Sequence, residues 1–136
     1  MGHCPSCVAS RKEQDVNGRL TTHVLDTAAG RPAAGMVIRL TRITAQGGDE
    51  MIGTFLTNAD GRCAAPLLEG AALTAATYEL RFAAGDYFRT VEATRDLSEP
   101  RFVDIVILRF GIADPTAHYH VPLLVSPWSY STYRGS

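Results

Sequence analysis

His118-Tyr119-His120-Val121-Pro122-Leu123-Leu124-Val125-Ser126-Pro127-Trp128-Ser129-Tyr130-Ser131-Thr132-Tyr133-Arg134-Gly135-Ser136 closes the chain, and its reading sets the fold. Aromatic and β-branched residues favour strand, and Ser126-Pro127 marks a turn between two strand-like runs. In the first run His118, His120, Pro122 and Leu124 share one face, and Tyr119, Val121 and Leu123 share the other. Pro122 sits awkwardly there, since proline within a strand belongs at an edge or a bulge. Chain ends ordinarily fray and carry no pattern. This one gathers imidazoles, aromatics, hydroxyls and an arginine up to the carboxylate of Ser136, so a functional terminus is expected.

The same period of two recurs upstream. Leu20-Thr21-Thr22-His23-Val24-Leu25-Asp26 puts Leu20, Thr22 and Val24 on one face and Thr21, His23 and Leu25 on the other. Gly30-Arg31-Pro32 is a turn, after which Met36, Ile38 and Leu40 alternate with Val37, Arg39 and Thr41. Gln46-Gly47-Gly48-Asp49 reads as a hairpin turn leading into Met51–Thr57, and Asn58-Ala59-Asp60-Gly61 as a second turn just before Arg62. Leu67 to Ala76 is expected to be loop. Tyr78, Leu80 and Phe82 make an inward stripe opposite Glu79 and Arg81. The best helical candidate is short, Asp86–Val91 within Ala84–Thr94. After Pro100 a further strand is expected, with Phe102, Val106, Leu108 and Phe110 on one face beside Asp104. About seven strands at short spacing, one small helix, no repeat and no linker describe an all-β fold, a two-sheet antiparallel β-sandwich.

At 136 residues, 46% hydrophobic and 20% charged, the chain fits one globular domain with room for a core. A net charge of −1 offers no broad field for nucleic acid or an anionic membrane surface. No apolar run approaches the roughly 20 residues of a membrane span, and no apolar signal segment opens the chain. Three cysteines are a poor basis for a disulfide framework, and a cytoplasmic location is expected. Residues 1–17 are polar and aperiodic, and are expected to be a flexible leader ahead of a domain at 18–136. The leader holds His3-Cys4-Pro5-Ser6-Cys7, a spacing that suits zinc or redox chemistry. No second ligand pair follows, and no helix follows to lower a thiol pKa, so an inert leader is the expectation.

Outside the leader, His23, Arg62 and the His118/His120 pair are the residues able to do chemistry. Taken singly each has an ordinary reading: a surface or interface histidine, a solvated turn arginine, an H-x-H pair short of the ligands a closed zinc site requires.

Taken together, the segments Leu20–Asp26, Asn58-Ala59-Asp60-Gly61-Arg62-Cys63, His118–Leu124 and Tyr130-Ser131-Thr132-Tyr133-Arg134-Gly135-Ser136 closely resemble the 5-hydroxyisourate hydrolases, also called transthyretin-like proteins. The similarity runs from about Leu20 to Ser136, and the terminal Tyr-Arg-Gly-Ser is its most specific mark. The resemblance implies a transthyretin-like (prealbumin-like) sandwich of eight strands with one short helix. It also implies a homotetramer whose active sites lie in a channel at the dimer–dimer interface. Pro122 would belong to the family pattern. Carried over, catalytic roles fall on His23, Arg62, His120 and Ser136, and substrate contacts on His23, Arg62, His118, Tyr133, Arg134 and Gly135.

The implied reaction opens the six-membered ring of 5-hydroxyisourate with water, giving 2-oxo-4-hydroxy-4-carboxy-5-ureidoimidazoline in urate degradation. It would require no cofactor and no metal, and involve neither nucleic acid nor membrane. Either His120 or His23 suits the general base, because imidazole titrates near neutrality. Arg62 offers a planar fork of donors to a developing oxyanion. The rival expectation is a transthyretin-like carrier of small molecules without catalysis, which has no use for such a polar cluster. A metal-binding protein using Cys4, Cys7 and the histidines is a third.

Overall fold

A computed structural model describes residues 18–46 and 48–135; the leader, Gly47 and Ser136 lie outside them. Alternation along β1 (Arg19–Asp26) buries Leu20, Thr22, Val24 and Asp26 and leaves Thr21, His23 and Leu25 half-buried on the outer face. The strand therefore belongs to a sheet with one face on the core, as its period of two requires. Nine strands are present among the described residues: β1, β2 (Arg31–Pro32), β3 (Val37–Ile43), β4 (Asp49–Leu56), β5 (Leu68–Glu69), β6 (Ala76–Ala83), β7 (Ile105–Ile112), β8 (His118–Val125) and β9 (Tyr130–Thr132).

They form two sheets. One runs β2-β1-β8-β9, with β5 also paired to β1; the other runs β4-β3-β6-β7. Leu20, Val24, Tyr119 and Leu123 from the first sheet meet Ile38, Leu40, Tyr78, Leu80, Phe82 and Val106 from the second in a single core. Most pairs are antiparallel, but β1 and β8 are parallel over eight register pairs from Arg19↔His118 to Asp26↔Val125. Periodicity cannot reveal strand direction, so this parallel pair in the middle of the first sheet was not anticipated by the antiparallel reading.

The helix α1 (Ala84–Thr90) falls where the short helical candidate lay. Tyr87 anchors it to the first sheet by donating its hydroxyl to the buried Asp26 Oδ2 at 2.8 Å. Burial and the Asp26 carboxylate push the Tyr87 phenol up to about 12. Asp26 Oδ1 meanwhile accepts the N–H groups of Ala28 and Ala29, closing the turn after β1.

Two expectations are corrected. Phe102 does not share the inner face of the strand after Pro100: it is 84% exposed, and β7 begins only at Ile105. The buried residues ahead of β7 are Arg101 and Val103 instead. Arg101 turns inward because its guanidinium donates to the carbonyls of Thr94 and Arg95 and to Glu99, closing the loop behind the helix. Residues 67–76 are also not all loop, since they contain β5 and a 3-10 turn at Gly70–Ala72.

On the outer face of the second sheet Glu79 is buried beneath Arg81 and Arg109, at 2.7 and 3.0 Å. Burial alone would raise its carboxyl, but the two guanidiniums outweigh that and hold it below the usual carboxylate range. Among the described residues no helix is long and apolar enough to cross a membrane.

Candidate active site

The outer face of the first sheet collects the candidate residues through backbone register. In the parallel β1–β8 pair Thr21 stands opposite His120 and His23 opposite Pro122, so both imidazoles face the same way. On the far side of β1, Arg62 forms an isolated antiparallel bridge with His23. On the far side of β8, Gly135 forms one with His120, donating its N–H to the His120 carbonyl at 2.7 Å. Arg62–His23–Pro122 and Thr21–His120–Gly135 thus form two neighbouring rows on one face of the sheet, offset by two residues along the strands.

Local chemistry fixes the Arg62 end. Gly61 has φ +75°, a left-handed conformation that glycine adopts without penalty, and a Cβ there would strike the Val24 carbonyl. Its own carbonyl instead accepts the Val24 N–H at 2.8 Å. Asn58 Oδ1 accepts the N–H groups of Asp60 and Arg62, and the Asn58 N–H donates to the Arg62 carbonyl at 2.7 Å. The turn read as Asn58–Gly61 is therefore the device that brings Arg62 against β1.

Pro122 fixes the other end. His120 directs its carbonyl towards the tail, so Pro122, two residues on, faces the tail with no N–H to give. The β8–β9 ladder ends at Leu123↔Thr132, and the Thr132 hydroxyl donates to the Pro122 carbonyl at 2.7 Å. The same register carries on past the gap, since Gly135 pairs with His120 three residues beyond the Thr132↔Leu123 pair. Gly135 packs flat on the imidazole: a Cβ would come within 3.0 Å of His120 Cδ2. The proline that looked awkward in a strand sits where the ladder is interrupted, between the Leu123↔Thr132 and His120↔Gly135 pairs.

His118, His120, Tyr133, Arg134 and Gly135 line one open cleft on this face. Arg134 lies with its guanidinium 4.1 Å over the Tyr119 ring, at the sandwich edge, while Tyr133 is exposed. Burial chiefly, then the charge of Arg62 and the nearby His23 and His118, push the His120 imidazole below its ordinary value. Each of these causes disfavours the charged imidazolium form of His120. Among the described residues no group of three histidine, cysteine or acidic side chains is placed to hold a metal. The Cys4/Cys7 motif and Ser136 lie outside the described residues.

The residue that sequence reasoning passed over is Thr21. Its Oγ1 lies 2.8 Å from His120 Nδ1 and 3.3 Å from His118 Nε2. Its parity with His23 was visible, but its contact with residues almost a hundred positions away depends on the parallel pairing.

A model of the HIUase/Transthyretin family matches residues 20–135. The chain belongs to this family. A 5-hydroxyisourate hydrolase of Ralstonia nicotianae is 62% identical over 119 residues, covering 88% of this chain and 99% of its own. Among solved structures, Klebsiella pneumoniae 5-hydroxyisourate hydrolase superposes with a TM-score of 0.70 at 33% identity, over 88% of this chain and 99% of that one. An (S)-allantoin synthase superposes with a TM-score of 0.83 at 48% identity, over 91% of this chain. The chain spans 46% of the length of that synthase, which is a longer protein. For this member of the HIUase/Transthyretin family, the two neighbouring rows that hold Arg62, His23, His120 and Gly135 are the candidate active site.

Proposed function

We propose that the protein hydrolyses 5-hydroxyisourate to 2-oxo-4-hydroxy-4-carboxy-5-ureidoimidazoline, a step of urate degradation. The observation that carries the reading is the placing of Arg62 and His23 in one row and of His120 and Gly135 in the next, held by backbone register on one face of the first sheet. Relatives bearing the hydrolase name at 62% and 59% identity over 88% of the chain support the substrate. A non-catalytic carrier would have no use for two imidazoles and a guanidinium on this face.

In this reading His120, kept neutral by burial and Arg62, removes a proton from water as the oxygen attacks a ring carbonyl. The Arg62 guanidinium stabilises the oxyanion that develops, and His23 beside it orients the ring. The proton returns to the ring nitrogen as the C–N bond breaks. Tyr133, Arg134 and Gly135 close one side of the substrate cleft, with His118 in support.

The working unit in this reading is a homotetramer with the first sheets of two dimers facing each other. Support comes from β7 and β9, each the last strand of its sheet. A groove of about 510 Å³ runs along these two edges, lined by Ile107, Leu108, Phe110, Tyr119, Val121 and Thr132 among others. Open edges beside apolar surface are a ready template for pairing with another copy.

The test follows 5-hydroxyisourate, generated from urate by urate oxidase, through its near-ultraviolet decay with and without protein. Acceleration over the spontaneous rate is expected. It should fall by about 10²–10⁴-fold in His120→Ala and His23→Ala, and by at least about 10²-fold in Arg62→Glu. No acceleration by the intact wild-type assembly would transfer the protein to the carrier class.

A further inference from the structure

A hydroxyl has one proton, so Thr21 can donate to one of its two imidazole neighbours and must accept from the other. At 2.8 Å from His120 Nδ1 and 3.3 Å from His118 Nε2, it makes the tautomers of the two rings interdependent. With Nδ1 turned to Thr21, His120 has Nε2 left for the cleft, and no hydrogen bond among the described residues engages that atom.

We propose that Thr21 is a positioning residue that holds His120 with Nε2 unprotonated and relays to His118 the proton that His120 gains. The inference rests on the hydrolase reading of this site. In the resting state His120 Nδ1–H donates to Thr21 Oγ1, and the Thr21 hydroxyl donates to His118 Nε2. When His120 Nε2 takes a proton from the attacking water, the Nδ1 proton moves to Thr21 Oγ1 and the Thr21 proton moves to His118 Nε2. His120 and Thr21 each gain one proton and lose one, and His118 gains one. The positive charge ends on His118, and the water oxygen ends bonded to carbon. Run in reverse, the relay returns the proton through Thr21 to His120 Nδ1 and releases the Nε2 proton to the departing ring nitrogen.

The surroundings favour this transfer. The groups facing His120 are Arg62 and His23 in the neighbouring row, His118 across Thr21, and Tyr133 and Arg134 from the tail. No carboxylate among the described residues hydrogen-bonds either ring. Burial and Arg62 make an imidazolium at His120 costly, whereas His118 is exposed and its charge is solvated. The hydroxyl and second histidine fill the position that a carboxylate occupies in a Ser-His-Asp triad.

The experiment compares wild type, Thr21→Val, Thr21→Ser, His118→Asn and the double variant Thr21→Val/His118→Asn in the 5-hydroxyisourate assay. Valine keeps the shape of threonine and removes the hydroxyl. Thr21→Val should lower kcat about 10- to 100-fold with KM within about twofold, and Thr21→Ser should restore kcat to within about threefold of wild type. The double variant should be no slower than the slower single variant, because both break one relay. Wild-type kcat in Thr21→Val, multiplicative losses in the double variant, or no rescue by serine would overturn the relay. Nitrogen-15 spectra of the imidazoles give a readout independent of turnover: His120 should be the Nδ1–H tautomer in wild type and Thr21→Ser, and lose that preference in Thr21→Val. If wild type shows the tautomer but no acceleration, the hydrolase reading fails while the hold of Thr21 on the ring stands. If wild type is active without the tautomer preference, the relay alone fails.

Discussion

Burial and the Arg62 guanidinium together make a positive charge costly on His120, and this gives the candidate site a definite response to acid. Because the folded value lies below the ordinary imidazole value of about 6.5, the unfolded chain takes up this proton first as pH falls. The contribution of His120 to stability is therefore present above about pH 6.5 and is lost as pH falls through the window between that value and the lower folded one. An NMR titration of His120 should show a midpoint below the free imidazole value. Arg62→Gln should move it upward, though not fully, since burial is the larger cause. A wild-type midpoint at or above the free value would remove His120 from the role of a neutral base.

The tail after β9 is the element on which the site reading leans most. It is tied to the sandwich by the Thr132 hydroxyl on the Pro122 carbonyl and the Gly135 N–H on the His120 carbonyl, both 2.7 Å. Neither bond lies in the core, and Tyr133 is 61% exposed, so removing the tail costs little buried apolar surface. Deleting Tyr133–Ser136 should abolish acceleration while the melting temperature falls by only a few degrees and the assembly state is kept. Full activity in the truncated chain would take the tail out of the mechanism.

At the scale of the molecule, the two sheets and α1 are locked by a small number of buried polar contacts. Tyr87 to Asp26 is the one that ties helix to first sheet. Tyr87→Phe leaves the Asp26 carboxylate with its two turn N–H donors but without the phenol. A loss of about 1–3 kcal/mol in urea unfolding is expected, with hydrolysis little changed because the contact lies on the inner side of the sheet. The open edges at β7 and β9 lead to the other expectation at this scale. Sedimentation of the intact protein should give four subunit masses, and replacing Ile107 by Glu beside the edge groove should shift it towards smaller species. A wild-type monomer with full activity would place the entire site within one subunit.

Much of this was legible in the chain itself. Period-two alternation sorted the side chains of β1, β6 and β8 onto their two faces, because a strand side chain has only two directions to choose from. Asn58–Gly61 announced its turn, since only glycine takes the left-handed step without strain, and the terminal Tyr-Arg-Gly-Ser marked the family. Alternation broke down ahead of β7, where Phe102 points to solvent and Arg101 inward: a charged side chain with three satisfied donors can be buried, and sequence does not display the acceptors. Tertiary structure alone decided that β1 and β8 run parallel, and so that Thr21, His118 and His120 meet. Strand alternation is a local property of one segment, whereas register and direction are set by pairing between segments almost a hundred residues apart.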